Sequence, residues 1–255
     1  MSNTDELQEF MNISDRENKL FDIWMKKEGR EPFIKDGLPS PEEYLKSKVK
    51  ILFILKDANF GISNEDKKSG NFDSSSHDLR AELKKDPHVW WRKVRNWCAP
   101  LLDSNLTWEE VKNKDIVESL APFGFMQLKK NAGSGSVEYD TLLEVAKEDS
   151  QEIKTQITIY NPDFIVCCGV GEILYKKVYS GSEQRTLTPE GVGYWKVNVG
   201  SDDTNSTYII DYCHPSARFG TRIEGVVAFG LVKSINYLKP SVTMKVRHLP
   251  FEKLI

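Results

Sequence analysis

The stretch Val49–Leu55, VKILFIL, is apolar and largely β-branched. This composition is typical of a strand buried on both faces, as in a parallel sheet covered by helices. Three further runs have the same character, namely Pro122–Leu128 (PFGFMQL), Asp163–Cys168 (DFIVCC) and Thr207–Cys213 (TYIIDYC). The four runs predict four neighbouring strands of one sheet.

Helical patterns separate these runs. Apolar residues recur at helical spacing from Leu142 to Tyr160, which predicts one long helix, and again from Ile223 to Leu238. The segment Thr4–Lys27 predicts one helix, or two broken near Asn12–Ser14. Strands that alternate with helices indicate an α/β fold, here a three-layer αβα sandwich around a central, mainly parallel four-stranded sheet.

Composition limits the class of protein. The chain has 255 residues, of which 39% are hydrophobic, so it can bury a full core; we expect one domain over 1–255, with 1–45 as an N-terminal helical extension. The net charge of −3 gives no field that would hold the whole molecule on DNA or an anionic membrane. The start MSNTDELQEF lacks a secretory signal, and no apolar run is long enough to span a membrane.

The cysteines indicate a reduced compartment. Cys98, Cys167, Cys168 and Cys213 do not have the spacing of a metal site, and the adjacent Cys167 and Cys168 should point to opposite faces of a strand. We therefore expect a cytoplasmic protein.

Two ionisable residues stand where predicted strands end. Asp57 follows the first strand in LKDANFG, and His214 follows the fourth in DYCHPSARFG. Ligand sites of open α/β sheets gather at the carboxyl ends of the strands. Taken singly, Asp57 could equally be a turn or capping residue, and His214 a hydrogen-bonded structural histidine. Their shared position at one sheet edge is what favours a functional site.

At these segments the sequence resembles the uracil-DNA glycosylase superfamily. The run HPSAR matches the family's second motif, and LKDANFG stands where branches of the family carry Gly-Gln-Asp-Pro-Tyr or Gly-Met-Asn-Pro-Gly. Within that first motif Lys56, Ala58 and Asn59 depart from the family pattern. PDFIVCCGVG and FMQLKK are similar to its third strand and its base-reading second strand.

The resemblance implies hydrolysis of an N-glycosidic bond in DNA that contains uracil or another modified base, without a metal or organic cofactor. Asp57 would activate water and stabilise the positive charge on the sugar, and His214 would donate a hydrogen bond to the departing base. Asn59, Phe60 and Gln127 would bind the base after it leaves the helical stack. Gln127 could instead be a satisfied polar residue of the strand.

DNA contacts are expected from several positions. The resemblance implies Ser216 and Arg218, the latter at the place where relatives fill the vacated stack, although Arg218 could also be an exposed residue beside a helix start. Lys129 and Lys130 follow the second strand as candidate phosphate contacts. The stretch Arg80–Trp97 is locally basic and contributes Arg92.

The tryptophans of that basic stretch admit two interpretations. They could stack bases, but Trp90, Val94 and Trp97 at helical spacing more often face a core.

The sequence leaves other functions open. One alternative is a protein that binds a base, a nucleotide or a nucleic-acid end in the same crevice without catalysis. Another is an interaction module whose N-terminal helical segment docks a partner. The base recognised, and the choice between single- and double-stranded DNA, also stay open.

Overall fold

The computed structural model describes residues 3–30, 32–59, 77–85, 87, 91–133, 137–199, 206–215, 217 and 221–240. Within these ranges the strands are β1 (Ile34–Lys35), β2 (Ile51–Asn59), β3 (His77–Asp78), β4 (Gly124–Gly133), β5 (Phe164–Cys168), β6 (Thr186–Leu187), β7 (Gly193–Asn198) and β8 (Ser206–Tyr212). The longer helices are α1 (Asn3–Trp24), α4 (Trp91–Leu102), α7 (Tyr139–Glu148), α8 (Ser150–Tyr160) and α10 (Thr221–Leu238). The shorter ones are α2 (Pro41–Lys46), α3 (Leu79–Lys85), α5 (Trp108–Asn113), α6 (Ile116–Leu120) and α9 (Gly171–Ile173), which continues into a π-helix (Leu174–Val178).

The main sheet has six strands in the order β4-β2-β5-β8-β7-β6. The first four are parallel, and they are the four strands that the sequence predicts. The predicted number of four strands is nevertheless wrong, because β7 and β6 extend the sheet as antiparallel strands. β7 reads GYWKVN and buries only alternate residues, so its pattern is weaker than that of a strand buried on both faces.

Helices cover both faces of the sheet. One core joins the sheet to α1, α7, α8 and the π-helix, and a second core joins the other face to α3, α4, α6 and α10. Cys167 packs in the first core and Cys168 in the second, as predicted from their adjacency on a strand. No helix among the described residues is both long and apolar enough to cross a membrane.

Helix α1 is continuous through Asn12–Ser14, which confirms the first of the two alternatives that the sequence left open. Ile13 is buried there, and Glu17 accepts hydrogen bonds from Arg80 and Tyr160. Phe21 and Trp24 are fully buried in the first core. Helix α1 therefore shares the first core with the sheet.

The long helix expected from Leu142 to Tyr160 is two helices, with the break at Asp149. The Asp149 carboxylate is fully buried and accepts hydrogen bonds from Arg30 Nε at 2.8 Å and Lys27 Nζ at 3.0 Å. These partners come from more than a hundred residues away, so the local apolar spacing could not reveal the break.

Candidate functional site at the carboxyl edge of the sheet

Asp57 lies near the end of β2, where it pairs in register with Lys129 of β4. Its side chain is 10% exposed, and its Oδ2 lies 3.9 Å from Lys129 Nζ. This distance exceeds that of a hydrogen bond, and the same ammonium donates to the Asn131 carbonyl at 3.0 Å. The strand continues two residues past Asp57, so the carboxylate lies at the sheet edge but within the strand, not directly after it as the sequence predicts.

His214 lies two residues beyond the end of β8 and is partly buried. Its carbonyl accepts a hydrogen bond from the Ala217 amide at 2.8 Å, which closes the turn at Pro215. Burial, together with the nearby ammonium groups of Lys56 and Lys93, lowers the pKa of His214 to about 4. The imidazole is therefore neutral near pH 7 and can donate through one ring nitrogen.

The register of the sheet places Asp57 and His214 at one level. Ile54 pairs with Cys167, and Cys167 pairs with Asp211. Asp57 is three residues after Ile54 in the chain, and His214 is three residues after Asp211. Only β5 separates their strands, so the two backbones are about two strand spacings apart, or roughly 10 Å.

Gly169 occupies the gap between these two strands. Its φ of 75° is a left-handed conformation that favours glycine, and its amide donates to the Tyr212 carbonyl at 2.8 Å. A Cβ at this position would lie 3.5 Å from Lys56 Cε and 3.7 Å from His214 Cβ. The Lys56 side chain thus passes close to His214 across the end of β5.

Gln127 lies on the sheet face that carries Asp57. It pairs with Leu55, two residues before Asp57, and its side chain is almost completely buried. The Gln127 Oε1 has no hydrogen-bond partner among the described residues. This oxygen can therefore accept a hydrogen bond from a ligand that reaches it.

Lys130 does not fit the predicted role. Its side chain is fully buried, and its Nζ lies 2.6 and 2.7 Å from the two carboxylate oxygens of Asp36. Successive strand residues point to opposite faces, so Lys130 enters the first core while Lys129 faces the site. The expectation that Lys130 contacts a DNA phosphate is therefore wrong.

The other predicted site residues divide into two groups. Arg92 is exposed on α4, so its DNA contact stays a prediction, as does that of Lys129 beside Asp57. Phe60, Ser216 and Arg218 lie outside the described part of the chain. The backbone of Asn59 is described within β2, but its side chain is not.

The basic stretch Arg80–Trp97 is partly a core element. Val94 and Trp97 are buried, which confirms the core interpretation for both, and Trp90 lies outside the described residues. Arg95 is also buried and donates to the Lys114 carbonyl at 3.1 Å. Part of the positive charge in this stretch is therefore not available to a nucleic acid.

Sequence reasoning missed the role of Lys56 and Lys93 beside His214. Lys56 was visible as a departure within the first motif, and Lys93 as one of the residues in the basic stretch. No sequence pattern shows that β2 and α4 bring the ammonium groups of Lys56 and Lys93 near the imidazole of His214.

Among the described residues no group of three or more His, Cys, Asp or Glu side chains could hold a metal ion. A scan of this chain against protein-family models and a search among curated proteins both return no match.

Proposed function

We propose that the protein is a hydrolytic DNA glycosylase-like enzyme, which removes uracil or another modified base by activated-water attack on the N-glycosidic bond. The observation that carries this proposal is the common level of Asp57 and His214 at the carboxyl edge of the sheet. The two strands are roughly 10 Å apart with β5 between them, so a nucleoside would lie beyond the end of β5 and not between the strands.

Asp57 supplies the carboxylate that this reaction requires. As the glycosidic bond breaks, the sugar carbon becomes positively charged, and a fixed carboxylate stabilises that charge and orients the attacking water. Water adds its oxygen to the sugar carbon and passes one proton to the Asp57 carboxylate, and the bonding pair of the broken glycosidic bond leaves with the base. The small exposed fraction of Asp57 supports this role, because electrostatic stabilisation is stronger where bulk water is excluded.

His214 and its neighbours act on the departing base. The neutral imidazole donates a hydrogen bond to the base oxygen that gains negative charge. The ammonium groups of Lys56 and Lys93 add positive potential on the same side. The Gln127 Oε1, which has no partner among the described residues, would accept a hydrogen bond from a base. Base contacts by Gln127, Asn59 and Phe60 all remain predictions.

A base-release assay tests the proposal. Purified protein is incubated with single- and double-stranded oligonucleotides that each carry one modified base, and the free base is quantified. We expect release from at least one substrate, and about a 100-fold or greater loss of rate in Asp57→Asn. Asp22→Asn, at an exposed position of α1, is the matched control and should retain full activity.

Loss of activity in Asp57→Asn counts only if the variant remains folded, so its thermal unfolding is measured beside that of the wild type. Absence of release across a broad panel of bases would reject the glycosylase proposal.

A second candidate function is binding without catalysis, directed at a nucleotide or a nucleic-acid end. The observation that favours it is the set of ammonium groups around this edge, with Lys129 beside Asp57 and with Lys56 and Lys93 near His214. Such a set is suited to a phosphate group. Saturable binding of nucleotides or single-stranded DNA without any product would support the binding protein, whereas turnover would reject it.

A further inference from the structure

Lys129 lies at the carboxyl edge of the sheet but takes no part in the proposed hydrolysis. It pairs in register with Asp57 on the neighbouring parallel strand, so the two side chains emerge on one face of the sheet. Lys129 Nζ lies 3.9 Å from Asp57 Oδ2, and the two side chains are only 11% and 10% exposed. A sugar carbon placed against Asp57 is therefore also next to a largely buried primary amine.

The adjacent Lys130 differs from Lys129 in its contacts. Lys130 is fully buried in the first core, and its Nζ lies 2.6 and 2.7 Å from the two oxygens of Asp36. Lys129 Nζ is instead beyond hydrogen-bond distance of Asp57 and donates to the Asn131 carbonyl at 3.0 Å. A shift of about 1 Å would bring the Lys129 ammonium into hydrogen-bond distance of Asp57. Asp57 is therefore close enough to take up a proton from Lys129.

The product of the proposed hydrolysis suits attack by an amine. Loss of the base leaves a hydroxyl on the former glycosidic carbon, and the sugar ring can then open to an aldehyde. Lysine amines condense with such carbonyl carbons to form Schiff bases. A nucleophile of this kind needs an adjacent group that accepts its proton, and Asp57 stands beside Lys129 in that position.

We propose that Lys129 is a nucleophile for the abasic sugar and gives the protein a second activity, cleavage of a DNA strand at an abasic site. This lyase activity rests on the proposed function, because it assumes that the sugar of the DNA substrate lies against Asp57.

The lyase reaction balances without an oxidant or a reductant. Lys129 passes one proton to Asp57, and its amine adds to the aldehyde carbon. The aldehyde oxygen takes up that proton and a second one from the nitrogen, and it leaves as water. In the resulting protonated Schiff base, the adjacent sugar carbon loses a proton to Asp57 and the electron pair forms a carbon–carbon double bond. The bond to the 3′ oxygen breaks, and the 3′ phosphate leaves with the bonding pair. Hydrolysis of the Schiff base then returns the Lys129 amine.

Trapping with borohydride tests the lyase on a substrate that needs no base release. Purified protein is incubated with an oligonucleotide that already carries an abasic site, and borohydride reduces any Schiff base to a stable amine. We expect a covalent complex of protein and DNA, and peptide mapping should locate the adduct on Lys129. Strand cleavage is measured in parallel without borohydride.

Lys129→Arg separates a nucleophile from a phosphate contact. Arginine keeps the positive charge but does not lose its proton in proteins. The variant should therefore still bind an abasic analogue that lacks the aldehyde, whereas trapping and cleavage should fall about 100-fold or more. Lys147→Gln, exposed on α7 at the other face of the sheet, is the matched control and should be trapped as the wild type is. Thermal unfolding verifies that both variants are folded.

The lyase proposal is overturned if the wild type forms no trapped complex, if the adduct maps to another residue, or if Lys129→Arg is trapped as much as the wild type. Base release is scored separately with the oligonucleotides that carry modified bases. Release without trapping would reject the lyase and leave the glycosylase proposal standing. Trapping on Lys129 without release from any modified base would reject the glycosylase proposal and support the lyase.

Discussion

Asp57 and His214 stand at the same level of the sheet, each three residues beyond the aligned positions Ile54 and Asp211. The strand between them turns away at Gly169, in a left-handed conformation. The carboxylate and the imidazole therefore lie at the same end of two strands that are far apart in sequence. If they act on one substrate, their contributions should depend on each other.

Combining Asp57→Asn with His214→Gln tests this dependence. Residues that act as one catalytic unit have non-additive effects, so we expect the double variant to release base about as slowly as the slower single variant. Single-turnover rates of the four proteins provide the measurement. A double variant slowed by the full product of the two single effects would show that the residues act independently.

The pH dependence of activity should reflect a neutral His214. Because its pKa is about 4 rather than the ordinary 6.5, base release should keep its His214-dependent rate down to roughly pH 5. The acidic limb of the rate profile should lie near pH 4, provided that the protein is folded there. A limb near 6.5 would contradict the neutral imidazole.

His214 should also make stability depend on pH. Its pKa is lower in the folded state, so between about pH 6.5 and 4 the unfolded state binds more protons, and the free energy of unfolding falls as the pH is lowered. Glu17 has the opposite effect on stability, because burial raises its pKa to about 7. Its contribution to the free energy of unfolding is lost as the pH rises from 4.5 to 7. Urea unfolding of the wild type and His214→Gln is measured at several pH values. The difference between their free energies of unfolding at each pH gives the contribution of His214.

Removing either neighbouring ammonium group should raise the pKa of His214. We expect the larger rise in Lys56→Gln and a smaller one in Lys93→Gln, with both values still below 6.5 because burial remains the main cause. NMR titration of the imidazole measures these values. Lys147→Gln, exposed on α7 at the other face of the sheet, is the control and should leave the pKa unchanged.

Lys130→Met should destabilise the protein by about 3–5 kcal/mol, because it leaves the buried Asp36 carboxylate without its cation. The double variant Asp36→Asn/Lys130→Met should recover part of this loss, since it removes both charges. Urea unfolding measures both effects, with Lys147→Met as the exposed control. A single variant as stable as the wild type would contradict the buried ion pair.

Trp24→Ala should cost about 3–5 kcal/mol of unfolding free energy, because the side chain is fully buried in the first core. Ile23→Ala is the matched control on the same helix, where the side chain is 63% exposed, and should change stability by less than about 0.5 kcal/mol. Equal effects of the two changes would indicate that α1 does not pack as described. If Trp24 behaves as expected, deletion of residues 1–45 would unfold the domain and could not test partner docking alone.

Local pattern was sufficient for the strongest elements. The four parallel strands and the helix ending at Leu238 follow from apolar content and spacing, because each buries enough of its own side chains to leave a clear signal. The positions of Asp57 and His214 at strand ends followed from the same reasoning. β7 was missed because half of its residues face outwards.

The amino-acid sequence by itself determined the α/β class, its parallel strands and the two ionisable residues at their carboxyl ends, since these depend on the composition of single segments. Only the tertiary structure decided that Asp57 and His214 share a level, that Lys56 and Lys93 approach His214, and that Lys130 is buried against Asp36. It also decided the break at Asp149 and the continuity of α1. The reason is physical: each of these features depends on contacts between segments far apart in the chain, and a periodicity of neighbouring residues carries no information about such contacts.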